Sequence, residues 1–595
     1  MSDLLHNLDY PTNLSLLMEK RRTLRKQLLS QETKRIKKKI AVLGGSTTYD
    51  IVKMLDVFLL YNGIEAEFYE CEYNRYYEDV MFNNEELKKF APDIIWFHTS
   101  YRNLKDVPEI SDTIEDIAQK SVSEYNRYVQ MWQKCFKDYN CLIIQNNFEP
   151  PFYRLMGNKE VSDKHGLINF INSLNEKFYQ FAQNNQNLFI NDLNYVASYY
   201  GLDKWHDLSA WYLYKYCCSL EAIPLLAHNV SRIIKSIYGK NKKGFVLDLD
   251  NTLWGGIVGD DGADNLEIGS ETATAQAYLE FQNYLKKHTQ LGIILNIDSK
   301  NDEANALAGL NHPEGILKPS DFISIKANWD TKSLNLSRIA EELSLLPESL
   351  VFVDDNPAER EIVKTQIQNA CVVDVSQVEN YIKEIDRVGF FEVTSLSKDD
   401  IERTQMYKAN AERKKLEEAF GNYDDYLRSL DMHAEIKPFI PTYMQRIAQL
   451  TNKTNQFNLT TKRYTQSEIE TVANDGKHIC LYGKLVDKFG DNGVVSVIIG
   501  NIKEKDLHIE LFLMSCRVLK RGMEFAMLDT LVKYALEQGI TKIFGYYYKT
   551  GKNSMVSELY KDLGFTLQQT QKEDSVWSLD ISDYKNRQSV ISVEN

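Results

Sequence analysis

Two aspartates stand two residues apart at the end of an apolar run, in Phe245-Val-Leu-Asp-Leu-Asp-Asn-Thr-Leu-Trp254. The run reads as a buried strand. Two ionised carboxylates at its end are costly unless a metal ion or protons compensate them. The chain turns at this point, so the pair can take separate roles. Asp248 is placed to attack phosphorus. Asp250 is placed to protonate the leaving oxygen and then to activate water against the aspartyl-phosphate. Thr252 is expected to shape the turn by hydrogen bonding and to stand beside the substrate. Taken singly, Asp250-Asn251-Thr252 also fits a helix cap and Asp354-Asp355-Asn356 a turn.

Asp-x-Asp-x-Thr after an apolar strand resembles the haloacid-dehalogenase superfamily. The resemblance implies further groups in a fixed order. Ser299, after Ile293-Ile294-Leu295, is the expected phosphate-binding hydroxyl, with Asn301 a candidate substrate contact or simply part of a turn. Lys332, at a predicted helix start, would neutralise phosphate and nucleophile, with Lys326 a weaker rival. Asp354-Asp355-Asn356 follows strand Val351–Val353. Asp355 would supply the side-chain magnesium ligand, joining the Asp248 carboxylate and the Asp250 main-chain oxygen. Only about twenty residues lie between Thr252 and the next predicted helix at Thr272, which leaves no room for a large lid. A cap this small admits bulky or protein-borne groups.

The longer stretch Leu247-Asp-Leu-Asp-Asn-Thr-Leu-Trp-Gly-Gly-Ile-Val-Gly-Asp-Asp-Gly262 resembles the FkbH family, as do Val351–Glu361, Asn452–Thr460 and Met514–Leu519. That resemblance runs from about Ile40 to Phe565. It implies a glyceryl group taken from 1,3-bisphosphoglycerate, loss of phosphate, and delivery of the acyl unit to an acyl carrier protein. Arg517-Val-Leu-Lys-Arg-Gly522 resembles the pyrophosphate loop of acetyltransferases of the GNAT fold, with Lys520 in place of its first glycine. A carrier's pantetheine arm, with a single phosphate, suits such an altered loop. Arg517 is then a phosphate contact and Cys516 a candidate acyl-holding thiol, the alternative being a buried core cysteine. Asn455, Thr454 and Asn553 are candidates for the acyl pocket or for turns.

Gly44-Gly45-Ser46-Thr47-Thr48 after a buried strand resembles the nucleophile block of SGNH hydrolases. Two readings follow: a scaffold or carrier-docking domain, and a hydrolytic pair of Ser46 with His206. His98, at a strand end, reads as a structural histidine.

These sites need elements to hold them. Strands alternating with helices over residues 36–240 predict a flavodoxin-type parallel sheet of SGNH-like kind. The block 241–395 predicts a Rossmann-like sheet with a minimal cap. Residues 396–425 read as a helical linker, and neighbouring strands in 426–595 predict an α+β, GNAT-like domain, so the fold class is multidomain α/β. Residues 1–35 form a helical segment, and ten Lys/Arg against one Glu between Lys20 and Lys39 give it a cationic face.

The chain of 595 residues is too long for one core, and its 43% apolar and 26% charged residues are those of a globular protein. A net charge of −14 argues against a general nucleic-acid binder. No apolar run approaches a membrane span, the polar N-terminus does not read as a secretory signal, and the eight cysteines have no C-x-x-C pair. A reduced, cytoplasmic enzyme is the expectation.

Overall fold

The computed structural model describes residues 5–31, 33–587 and 590–594. It divides into two compact units. The first takes the chain up to Ile237, together with Glu392–Ser395; the second takes Tyr238–Phe391 and the chain from Leu396 onward.

The first unit is built on five parallel strands: β1 (Ile36–Gly44), β2 (Ile64–Glu70), β3 (Ile94–His98), β4 (Leu142–Asn146) and β5 (Leu188–Asn191). Their order is β2-β1-β3-β4-β5, as expected for a flavodoxin-type sheet, with the reversal of direction between β1 and β3. All five residues of both β3 and β4 are buried, since helices cover both faces. The long helix Ile114–Tyr139 begins at Thr113, whose hydroxyl accepts from the Asp116 N–H while the Asp116 carboxylate accepts from the Thr113 N–H. It stops at Asn140, in the left-handed region at φ 51°.

The helix Leu14–Leu29 buries Leu17, Leu24 and Leu28. Its expected cationic face is partly engaged, by Arg21 with Asp50 and Arg25 with Asp56, each at 2.5 Å.

The second unit contains two sheets. The first is parallel, made of β6 (Gly244–Leu247), β7 (Ile294–Ser299), β8 (Phe322–Ala327), β9 (Leu350–Val353) and β10 (Cys371–Val372), in the order β10-β9-β6-β7-β8. Strand β8 was not among the expected elements. It is an edge strand with most of its residues only half-buried, so Phe322-Ile-Ser-Ile-Lys-Ala327 lacks the continuous apolar run of its neighbours.

The other sheet is mixed: β11 (Met432–Pro438), β12 (His478–Asp487), β13 (Gly490–Lys503), β14 (Asp506–Met514), β15 (Lys542–Tyr547), β16 (Thr566–Gln571), β17 (Asp574–Asp580) and β18 (Ile591–Glu594). They lie in the order β16-β17-β15-β14-β13-β12-β11-β18, antiparallel except for β14–β15 and β11–β18. Leu507, Ile509, Phe512 and Met514 pack with the helix Met523–Glu537, while Leu511 and Leu513 pack on the other face with Met444 and Ile447 of the helix Pro441–Lys453. The faces alternate with the period of two of a sheet covered on both sides, shifted by one residue between Ile509 and Leu511, where the pairing of β13 with β14 slips.

The expected separation of 241–395 from 426–595 gives way to one unit, for two reasons. Tyr407, from the connecting helix Arg403–Glu418, is part of the apolar core over the parallel sheet, and Cys516 packs against that core. Around them Arg446 pairs with Asp399 at 2.9 Å and Lys453 with Asp400 at 3.0 Å.

Leu24→Ala is expected to destabilise the first unit by about 2–5 kcal/mol, the range for an emptied core leucine site. The readout is a lower urea midpoint with unchanged slope. An unchanged midpoint would mean that the N-terminal helix is not part of the folded unit.

Candidate active site

Strands β6 and β9 are paired, with Leu247 beside Val353, so the residues that follow them emerge together at the carboxyl edge of the sheet. Asp248 follows β6, and its N–H donates to the Val353 carbonyl at 3.0 Å. Asp354 and Asp355 follow β9. One carboxylate oxygen from each of Asp248, Asp354 and Asp355 lies within 4.8 Å of the others.

A single ammonium answers two of them. Lys332 Nζ is 2.8 Å from Asp248 Oδ2 and 2.5 Å from Asp354 Oδ2. Lys332 opens the helix Lys332–Glu342, whose first turn is capped by the Thr331 hydroxyl accepting from the Leu334 N–H. The Lys332 side chain is 3% exposed and Asp354 is fully buried, so both charges have left water. Burial alone would lower the lysine's affinity for its proton. The two facing carboxylates outweigh that and hold it above the ordinary lysine value. Asp355 is pushed up chiefly by burial and next by the Asp248 charge. Three acids against one base leave negative charge in excess, which is the donor set that a small divalent cation takes.

Asp250 is held differently. Its Oδ1 accepts from Trp254 Nε1 at 2.9 Å and from the Val258 N–H at 3.0 Å, and its Oδ2 from Asn301 Nδ2 at 2.8 Å. Burial pushes its carboxyl above the usual range despite these donors, a direction that favours an acid able to carry a proton. Trp254 reaches this position because residue 309 is glycine: a Cβ there would stand 2.8 Å from the indole. Thr252 is fully buried, and its hydroxyl accepts from the Asp355 N–H at 3.2 Å, locking the first aspartate turn to the second. The turn itself passes through Asn251 at φ 55°, where the hydroxyls of Tyr278 and Tyr381 each donate to its carbonyl at 3.2 Å.

Ser299 ends β7 and is buried beside these groups. Asn301, expected to contact substrate, instead orients Asp250. Lys326 is excluded as the phosphate-neutralising lysine, because its ammonium pairs with Glu342 at 2.5 Å. Asp298 was missed by sequence reasoning. It is fully buried, accepts from Asn335 Nδ2 at 3.1 Å, and its other oxygen has no partner; burial pushes its carboxyl up to about 8. An acid inside the apolar run of β7 was the available signal.

The C-terminal candidates are not brought together around a pocket. Arg517 is buried, donates to Ser515 Oγ at 3.2 Å and to Met406 Sδ, and lies 3.7 Å from Asp399. Its guanidinium serves the junction between the two sheets, away from the expected phosphate loop. Glu524 in the first turn of the helix that follows Gly522, its carboxyl pushed up by burial, is a further departure from an anion cradle. Asn455 Oδ1 accepts from Arg463 at 2.5 Å. Asn553 is fully buried and donates to the carbonyls of Asn458 and Tyr548 at 2.9 and 3.0 Å, and Thr454 gives its carbonyl to Asn458 Nδ2 at 3.3 Å. Asn455 and Asn553 clasp loops, because a guanidinium has taken the acceptor of one and main-chain carbonyls the donors of the other, while Thr454 contributes only its main-chain carbonyl. Cys516 is half-buried against the parallel-sheet core beside Tyr407.

In the first unit Ser46 follows β1 and is buried, and its hydroxyl has no partner of normal geometry. His206 does not serve it: His206 Nε2 meets the Pro150 carbonyl at 2.9 Å.

Lys332→Met leaves Asp248 and Asp354 facing each other without their cation. It is expected to cost about 3–5 kcal/mol of stability, the range for breaking a buried pair. Adding Asp354→Asn should restore part of that loss in thermal melts. No restoration would mean that Lys332 contributes only by packing.

Residues 39–235 match the family model described as FkbH, N-terminal domain. The N-terminal part of a Bacteroides fragilis protein, containing a phosphatase domain and solved in complex with Mg, is 26% identical at TM-score 0.58, over 63% of this chain and 99% of that one. The ribosomal-protein-S18-alanine N-acetyltransferase of Escherichia coli overlaps 26% of the chain and 99% of its own, at 11% identity and TM-score 0.21. A GNAT-family acetyltransferase of Streptococcus pneumoniae overlaps 25% and 100%, at 13% identity and TM-score 0.21. No curated protein matches the sequence. Residues 39–235 are thus similar to the FkbH N-terminal domain, and 63% of the chain is similar in fold to a phosphatase domain solved with Mg.

Proposed function

We propose that this chain is a phosphatase that also moves an acyl group: it binds a phosphorylated glyceryl unit, strips its phosphate at Asp248, and passes the glyceryl group from an enzyme thioester to an acyl carrier protein. The observation that carries the phosphatase half is the Asp248–Lys332–Asp354 arrangement, with Asp355 completing the acidic cluster. The carboxylates of Asp248 and Asp355 and the main-chain oxygen of Asp250 would hold magnesium, which when bound offsets the charge of nucleophile and phosphoryl oxygens.

The order of events follows from which bonds break. Attack by Asp248 on the phosphorus of an acyl phosphate would release a free carboxylate and waste the activated acyl group. The thiol therefore acts first on 1,3-bisphosphoglycerate: the Cys516 sulfur bonds to the carbonyl carbon, and phosphate leaves from it. Asp248 then takes the remaining phosphoryl group from the ester at the far end, Asp250 gives its proton to the alcohol oxygen, and Asp250 next deprotonates the water that opens the aspartyl-phosphate. Lys332, 2.8 Å from Asp248, orients that carboxylate for attack, and the short cap leaves the phosphate reachable by a protein-borne group.

The half-buried place of Cys516 against the phosphatase core favours a second reading, a phosphatase whose other domains only position a phosphate ester. Intact-mass analysis after incubation with 1,3-bisphosphoglycerate and magnesium separates the two. The transferase gains a glyceryl adduct, Cys516→Ala gains none, and Asp248→Asn retains a phosphoglyceryl adduct. Phosphate release without any adduct leaves the plain phosphatase. Phosphate release undiminished in Asp248→Asn would overturn both.

A further inference from the structure

The carboxyl edge of the first unit's sheet holds a buried polar chain that the phosphatase site does not use. It starts on the helix Ile223–Ile237 and ends on a sulfur. Asn229 Nδ2 donates to Asn191 Oδ1 at 2.7 Å, and Asn191 Nδ2 donates to Asn146 Oδ1 at 2.8 Å. Asn146 Nδ2 meets His98 Nδ1 at 3.1 Å, and His98 Nε2 meets Cys217 Sγ at 3.5 Å. Asn146, Asn191 and His98 are fully buried and Cys217 is 3% exposed.

The proton positions in this chain follow from one group. Trp96 Nε1 is 2.8 Å from the Asn146 side chain, and an indole nitrogen can only donate. The amide atom facing it is therefore the oxygen, and the amide nitrogen faces His98. An amide nitrogen also only donates, so His98 Nδ1 is the bare acceptor and the ring proton sits on Nε2, pointing at sulfur. Every link thus donates in one direction, and each bond polarises the next. Cys217 receives the last donor. The adjoining Cys218 thiol and the Ser46 hydroxyl lie close enough to favour its ionised form too, and with His98 they pull its pKa well below the ordinary thiol value against the opposing effect of burial.

Two further buried groups near this sulfur stand without partners. The Ser46 hydroxyl and both oxygens of Glu149, which is fully buried, have no hydrogen-bond partner of normal geometry. Burial pushes the Glu149 carboxyl up, and the charge of Cys217 adds to it, which places the carboxyl in the same neighbourhood. Buried polar groups left without partners are rare, and in a nucleophile's surroundings they are apt to be partners for a substrate. Three apolar residues on the segment just before Cys217 are exposed. Tyr212, Leu213 and Tyr214 are 65%, 70% and 58% exposed. The Tyr214 and Lys215 carbonyls accept from Thr47, which ties this segment to the Ser46 turn.

We propose that Cys217 is an acyl-accepting nucleophile that exchanges acyl groups with thioesters. The Cys217 sulfur bonds to the carbonyl carbon, the carbon–sulfur bond of the incoming thioester breaks, and its thiolate leaves with the electron pair. The reverse step hands the acyl group to another thiolate. No net proton moves in either direction. That is what this site permits: the Nε2–H of His98 points at the sulfur and its Nδ1 is held by the Asn146 amide, so neither ring nitrogen faces water, and burial favours the neutral form of Glu149. Hydrolysis, which needs a base facing water, is disfavoured. The geometry separates this site from a hydrolytic triad, in which the third residue accepts from the histidine. The proposal goes beyond the phosphatase–transferase reading and does not depend on it.

The test is incubation of the full chain with the acetyl thioester of N-acetylcysteamine, followed by intact mass and peptide mapping. One acetyl group per chain, on Cys217, is the expected result, released at least tenfold faster by added N-acetylcysteamine than by water. Cys371, a half-buried thiol outside both sites, is the comparison: Cys371→Ala should leave the adduct in place, while Cys217→Ala abolishes it. The map of the unaltered protein decides the matter even if the Cys217 variant folds poorly. An adduct confined to Cys516 supports a thioester on that residue and overturns the one on Cys217. No adduct, an ester on Ser46, or release by water as fast as by thiol overturns it as well.

Discussion

A lysine held away from water between two aspartates is the interaction on which the phosphatase part depends. Moving three charges out of solvent is expensive, and it is tolerable here because Lys332 answers both Asp248 and Asp354 at hydrogen-bond distance. The surrounding main chain is fixed to the same end. Arg360 donates to the carbonyls of Asp354 and Asp355 at 2.7 and 2.8 Å, and Thr252 fastens one aspartate turn to the other. Strand pairing, helix capping and the tight turn at Asn251 all serve to bring these side chains to one point.

The two units solve opposite electrostatic problems on the same kind of scaffold. Both gather their groups near the carboxyl ends of parallel strands, where the order of connection across the sheet reverses. In the second unit, acceptors crowd around a cation. In the first, donors are lined up toward a sulfur, and the direction of the whole line is fixed by a single indole N–H from Trp96. The same architecture therefore supports a site that draws in positive charge and one that steadies negative charge.

How much of this could be read beforehand depended on what each residue answers to. Strands β3 and β5 have the bounds their apolar runs suggest, and the acidic pair of β6 announced itself because an acid at the end of a buried strand needs a reason. Strand β16 is exposed throughout and almost wholly polar, so it had no pattern to find. Asn301, Asn455, Asn553 and Arg517 could not be placed beforehand for one cause: their partners are a side chain or a carbonyl brought near only by folding, and an amide that clasps a loop looks the same in sequence as one that binds a ligand. Cys217 stayed hidden for a related reason. The relay that reaches it draws on β3, β4, β5 and a late helix, and no local spacing connects them.

The seam between the parallel sheet and the mixed sheet has an inheritance of its own. Tyr407 and Cys516 complete a core made otherwise of Val246, Ile294, Leu336, Phe352 and their neighbours, so that core draws on three stretches of the gene. A chimera that grafted another C-terminal half onto this phosphatase would leave those two places to chance. The two sheets are therefore one block for any such exchange, and a change to the chemistry of either half must fit its neighbour's packing.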